Sequence, residues 1–120
     1  MPDYYKVRNR ETLKRLDCGM EITRAVKHEP IDSGGLSRGE LIELTNDRNG
    51  SKFLAEWQLP ALVDWLEQQI LALGWRFPPG AQTRVHVPMD RDVGYVSGRL
   101  VRTITIMVSG RWVHAYPDND

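Results

Sequence analysis

The stretch ELIELTNDRNGSKFLAEWQLPALVDWLEQQILALG, residues 40–74, decides how the chain is read. From Leu59 the apolar residues fall at Leu59, Leu62, Val63, Leu66, Ile70 and Leu73, the spacing that lines one face of a helix. Pro60 suits the first helical turn, where a missing N–H costs nothing. Gly74 suits the left-handed residue just past the last turn. Upstream, Leu41–Thr45 and Lys52–Trp57 flank Asn46-Asp47-Arg48-Asn49-Gly50, whose residues tolerate positive φ. The spacing therefore predicts a β-hairpin running into one amphipathic helix.

Working outward, Tyr4–Val7 reads as a short first strand. Arg10–Asp17 reads either as a capped helix behind Asn9 or as one arm of a hairpin. Met20, Ile22 and Val26 lie on one alternating face of a strand predicted over residues 20–27, with Arg24 breaking the pattern. Pro30, Gly34 and Gly35 make residues 28–38 a loop. Gly34-Gly35 lacks the Gly-Lys-Ser/Thr ending of a phosphate-binding loop. Phe77-Pro78-Pro79-Gly80 forces an extended break after the helix. Val85, Val87 and Met89 then alternate with Arg84 and His86, and Leu100–Val108 is the longest strand expected. A turn at Ser109-Gly110 leads into residues 111–116, and order is expected to end at Pro117 and the Asp118-Asn119-Asp120 tail.

The fold expected is α+β, one domain over residues 1–120: an antiparallel sheet of about five to seven strands packed on the main helix. A chain of 120 residues can bury a core without staples. Sixteen basic and sixteen acidic side chains cancel, which counts against a duplex-coating nucleic-acid binder. One cysteine, Cys18, excludes an internal disulfide. Together with the lack of a signal peptide it predicts a reducing, cytoplasmic setting. The longest apolar run near the helix end, Ile70–Leu73, is far too short to cross a bilayer.

The predicted terminal hairpin sorts its side chains by the period of two. Ile104, Ile106, Val108, Val113 and Ala115 share a core face. The two-residue turn predicts Thr105 opposite His114, Thr103 opposite Tyr116 and Met107 opposite Trp112 on the other face. That second face has a catalytic reading as a metal-independent ribonuclease. His114 serves as general acid or base, Arg84 or Arg102 offsets phosphate charge, and Tyr116 or Thr105 orients the phosphate. The ending Gly110-Arg111-Trp112-Val113-His114-Ala115-Tyr116-Pro117-Asp118 resembles the last strand of bacterial toxin ribonucleases of the barnase and EndoU-like group. The group's other catalytic residues are not placed in this chain, and the resemblance identifies no family.

Other chemistries have less behind them. His86 with Asp90 and Asp92, and His114 with Asp118, are too sparse and too far apart along strands for a metal site. Asp90-Arg91-Asp92 reads as a solvated turn. Cys18 has no histidine nearby to activate it, and Ser33, Ser37 and Ser97 lack an elbow motif. No metal or cofactor is implied.

The favoured reading is a non-enzymatic protein-binding module that resembles small phage or prophage accessory proteins, including inhibitors of host defence proteins. Trp65, Trp112 and Leu71 are its expected interface. Trp65 either lies clear of the main stripe or widens it. The partner expected is another protein or a second copy of the chain, with no membrane. Nucleic acid enters only through the ribonuclease alternative.

Overall fold

The computed structural model describes residues 10–80 and 83–120, so the expected strand at Tyr4–Val7 lies outside the described residues. Within them the order is β1 (Arg10–Arg15), β2 (Glu21–Ala25), α1 (Arg38–Thr45), β3 (Lys52–Phe53), α2 (Leu59–Leu73), β4 (Arg84–Pro88), β5 (Gly94–Val96), β6 (Arg99–Val101), β7 (Thr103–Ser109) and β8 (Trp112–Asp118). Five strands form one sheet in the order β1-β2-β8-β7-β4, and three form a smaller sheet ordered β3-β5-β6. Every pair is antiparallel except β2 with β8, which run parallel and make the larger sheet mixed. The architecture is α+β, with α2 as its main helix.

Helix α2 forms where the periodicity places it. Pro60 sits in its first turn, and Gly74 closes it at φ +69°, its N–H reaching the carbonyls of Ile70 and Leu71. Leu62, Leu66 and Ile70 are buried, sharing one core with Ile22, Ile104, Ile106 and Val113 of the sheet. Fully burying such a side chain is worth roughly 1.5–3 kcal/mol, so this stripe anchors the helix more firmly than propensity does. Trp65 flanks the stripe and is half-buried, edge-on to Trp57 with ring centroids 5.8 Å apart, so it widens the core.

The hairpin expected over residues 41–57 does not form. Leu41–Thr45 belongs to α1, because Ser37 and Glu40 build a reciprocal capping box that starts a helix upstream. Asn46–Gly50 is the turn expected, with Gly50 at φ +86° donating its N–H to Asn46 O at 2.8 Å. It leads from α1, however, and not from a strand. Only Lys52 and Phe53 form a strand, pairing with β5, while residues 55–57 coil into a 3-10 turn.

Three further boundaries move. Arg10–Arg15 is a hairpin arm against β2, with a bulge between Thr12 and Lys14, and the helical alternative is excluded. The strand expected over Leu100–Val108 divides around Arg102, the first part edging the small sheet and the second joining the large one. The C-terminal tail is held: β8 continues through Asp118, and Asp120 accepts hydrogen bonds from the Arg102 N–H at 2.8 Å and the Thr103 hydroxyl at 3.0 Å.

The β7–β8 register also differs from expectation. The turn residues are Gly110 and Arg111, so Thr105 faces Tyr116, Met107 faces His114 and Ser109 faces Trp112. Gly110 at φ +62° supplies the positive φ that a two-residue hairpin of the II′ kind needs at its first central position. A slip of two residues keeps every side chain on its predicted face. Ile106, Val113 and Ala115 remain in the core, and Thr105, His114 and Tyr116 remain together on the opposite side. Among the described residues no helix is long and apolar enough to cross a membrane.

Candidate functional site

The face of the large sheet turned away from α2 carries the chemistry. Pairing across β4, β7 and β8 lays it out in rows: Arg84–Met107–His114, then His86–Thr105–Tyr116, then Pro88–Thr103–Asp118. Side chains opposite one another on neighbouring strands sit about 5 Å apart, so each row is a line of touching groups. Above β8 the short 3-10 turn at residues 26–28 and the Asn46–Ser51 turn lean over this face. Between them and the sheet runs a cleft of about 860 Å³ lined by Lys27, His28, Asn46, His114, Tyr116 and Asp118, among others.

Two of the chain's three histidines are joined to Tyr116 by ring contacts. His28 stacks on Tyr116, with centroids 5.0 Å apart and planes 20° apart, and His114 lies 6.1 Å away at 31°. His28 is fixed from behind: its Nδ1 is 2.8 Å from the Ser51 carbonyl, which only accepts, so Nδ1 holds the proton. Burial is the main reason that its pKa falls to about 4; the Ser51 hydrogen bond opposes this, and Lys27 and Lys52 add to it. The ring is therefore neutral at pH 7. Burial also raises the Tyr116 pKa, against the charge of Arg84 and with that of Asp118, so the phenol keeps its proton.

The third histidine, on β4, does not line the cleft and reaches it through Thr105 and Asp118. His86 Nδ1 is 2.7 Å from Thr105 Oγ1, and Thr105 Oγ1 donates to Asp118 Oδ2 at 2.6 Å. The direct His86–Asp118 separation is 3.7 Å, so the hydroxyl bridges the imidazole to the carboxylate. The His86 side chain is 60% exposed, whereas Thr105 is fully buried.

Comparison of the chain with protein-family models, with curated proteins and with solved structures gives no match. The geometry is thus the basis on which the site is read.

That geometry redistributes the roles expected from sequence. His114 is in the site but 7% exposed, in contact with Tyr116 more than with solvent. Thr105 has its hydroxyl committed to His86 and Asp118 and is not free to orient a phosphate. Arg84 is exposed and faces the same side, whereas Arg102 is engaged with Asp92 at 3.2 Å. Trp112 is half-buried and donates its indole N–H to Glu21 at 3.1 Å, and of the expected interface residues only Leu71, 70% exposed, is broadly open.

Sequence reading missed His28, His86 and Asp118 as members. A signal existed for His86: it alternates with half-buried Val85 and Val87, so it had to share a face with Arg84. Nothing in the local sequence brings His28 onto Tyr116, since the 3-10 turn that does so is made by contacts with β3 and the Asn46–Ser51 turn. Among the described residues no three His, Cys, Asp or Glu side chains gather as a metal site. Cys18 is half-buried beside the core, its carbonyl accepting from the Phe77 N–H at 3.1 Å.

Proposed function

We propose that this cleft binds RNA and breaks its phosphodiester bonds by acid–base chemistry. The observation that carries the reading is one sheet face that holds His86, His114, Tyr116 and a Thr105–Asp118 pair, with His28 stacked over Tyr116 from the 3-10 turn, beside an open cleft. An imidazole takes the proton of a ribose 2′-hydroxyl, whose oxygen then attacks the adjacent phosphorus. The bond from phosphorus to the 5′-oxygen breaks, and that oxygen leaves with a proton from a neighbouring acid. The products are a 2′,3′-cyclic phosphate and a 5′-hydroxyl, and no co-reactant is consumed. Groups of this kind contribute roughly 10²- to 10⁴-fold each when well placed.

The residues divide the work by exposure and protonation. His86 offers an exposed imidazole, and Tyr116 lies two strands away with Thr105 between them. The backbones are thus about 10 Å apart, a span over which one phosphodiester lying on top of the buried Thr105 can meet both side chains. The protonated phenol of Tyr116 is the donor to a phosphate or leaving oxygen. Lys27, which lines the cleft from the 3-10 turn, and the exposed Arg84 of β4 supply positive charge suited to a nucleic-acid backbone. The neutral His28 ring braces Tyr116.

The test is incubation of the purified protein with a defined single-stranded RNA, its all-deoxy counterpart, and RNA with chelator. We expect cleavage of RNA alone, unaffected by chelator, with 2′,3′-cyclic phosphate ends. His86→Ala should abolish it, and Tyr116→Phe should slow it by about a hundredfold or more, the lower end of the range for one acid–base group. RNA left intact by the wild-type protein across neutral pH would sink the reading.

A protein-binding role has one observation in its favour, the broad exposure of Leu71 and the partial exposure of Leu73 (38%) at the end of α2. An accessory protein or inhibitor docking a partner there, in a reducing compartment such as the cytoplasm where a free Cys18 persists, is the alternative. Capture of a partner that Leu71→Asp abolishes, in a protein without nuclease activity, would favour it.

A further inference from the structure

We infer that Thr105 and Asp118 are positioning residues that hold neutral His86 in a single tautomer, with its proton on Nδ1, and thereby make the exposed Nε2 the proton acceptor of the site. What Nε2 accepts a proton from rests on the ribonuclease reading above; the tautomer does not.

The number of protons available fixes the tautomer. A threonine hydroxyl has one, and a carboxylate has only lone pairs to offer. Thr105 Oγ1 lies 2.6 Å from Asp118 Oδ2, so the hydroxyl proton points to the carboxylate. Toward His86 Nδ1, 2.7 Å away, Oγ1 then presents lone pairs alone, and Nδ1 must donate. The carboxylate itself is 3.7 Å from Nδ1, beyond a hydrogen bond, so the tautomer depends on the hydroxyl between them. With the proton on Nδ1, the lone pair is on Nε2.

The surroundings make this support rigid. Thr105 is fully buried in the middle strand of three, where a hydroxyl that lost either partner would be left unsatisfied at a cost of roughly 1–3 kcal/mol. Asp118 is held by its second oxygen, which accepts from the Asn119 N–H at 2.8 Å. His86 and Thr105 are register partners on β4 and β7, so the pairing of the strands itself sets the ring beside the hydroxyl. The dry end of the chain orients and the wet end reacts. When Nε2 takes the 2′-hydroxyl proton, the imidazolium formed meets the negative charge of Asp118 through Thr105. The attacking oxygen bonds to phosphorus, the 5′-oxygen departs, and that oxygen receives its proton from Tyr116.

Long-range nitrogen–proton NMR correlations on histidine-labelled protein in mildly alkaline buffer read the tautomer directly, and cleavage of the defined RNA reads its consequence. In the wild-type protein the proton of neutral His86 should be on Nδ1. Thr105→Val should release the ring toward the Nε2–H form and lower kcat by about tenfold or more with KM within about twofold. Thr105→Ser should restore both the tautomer and most of kcat, which a merely structural methyl-packing role would not produce. An Nε2–H tautomer in a wild-type protein that cleaves RNA overturns this inference alone. The Nδ1–H tautomer in a protein that leaves RNA whole overturns the ribonuclease reading, and the proton-acceptor role with it. A Thr105→Val protein that loses the tautomer but keeps wild-type kcat overturns the positioning role.

Discussion

The imidazole of His28 lies flat against the phenol of Tyr116, ring centroids 5.0 Å apart, joining the 3-10 turn after β2 to the middle of β8. This contact ties the roof of the cleft to its floor, and it has a pH dependence. Burial lowers the His28 pKa from 6.5 to about 4, so between those values the unfolded chain binds a proton that the folded chain refuses. Stability contributed by the neutral ring is complete above pH 6.5 and is lost as pH falls toward 4. The loss is on the order of 3 kcal/mol. Urea melts at neutral and acid pH check it: His28→Phe keeps a stacked ring without the titration and should show a visibly flatter profile. An unchanged slope would mean that other groups carry the acid sensitivity.

Leu66 faces the sheet from the centre of α2 and is fully buried with Ile104 and Ile106. Replacing it with alanine removes packed atoms that the surroundings replace only in part, at about 2–5 kcal/mol. Leu71, on the same helix but 70% exposed, is the control, and its alanine variant should stay within about 0.5 kcal/mol of wild type. Equal melts for the two variants would contradict the assignment of the buried stripe.

Gly94 begins β5 where the small sheet crosses β8. A Cβ there would run into the Lys52 carbonyl and the Pro117 ring, both parts of packed strands that cannot swing aside. Gly94→Ala should therefore destabilise the protein by about 1–3 kcal/mol, the usual cost of overpacking. Gly35→Ala, where a Cβ meets nothing within 4 Å, should leave the thermal midpoint nearly unchanged. A harmless Gly94→Ala would show that the two sheets do not meet there.

How much of this was legible in the chain depends on how local each cause is. Helix α2 spans 15 residues, long enough for the 3.6-residue period to repeat and for Pro60 and Gly74 to mark its ends. Residues 38–45 are only two turns, and their apolar members Ile42 and Leu44 stay exposed, so no stripe distinguished helix from strand. The Ser37–Glu40 capping box was the readable clue there.

The sequence by itself determined which residues of β7 and β8 share a face, because strand side chains alternate and a slip of two residues leaves that sorting intact. It also determined the stripe that α2 buries and the position at which that helix stops. Only the tertiary structure decided the rest. The turn at Gly110-Arg111 chose Tyr116, and not His114, as the neighbour of Thr105. The parallel placement of β2 beside β8 and the fold of the Asn46–Ser51 turn brought His28 over Tyr116. The pairing of β4 with β7 set His86 against Thr105 and Asp118. Thr105 and Asp118 are 13 residues apart, His86 and Thr105 are 19 apart and His28 and Tyr116 much further, so contacts between them exist only once loop closure and strand pairing have fixed their distances.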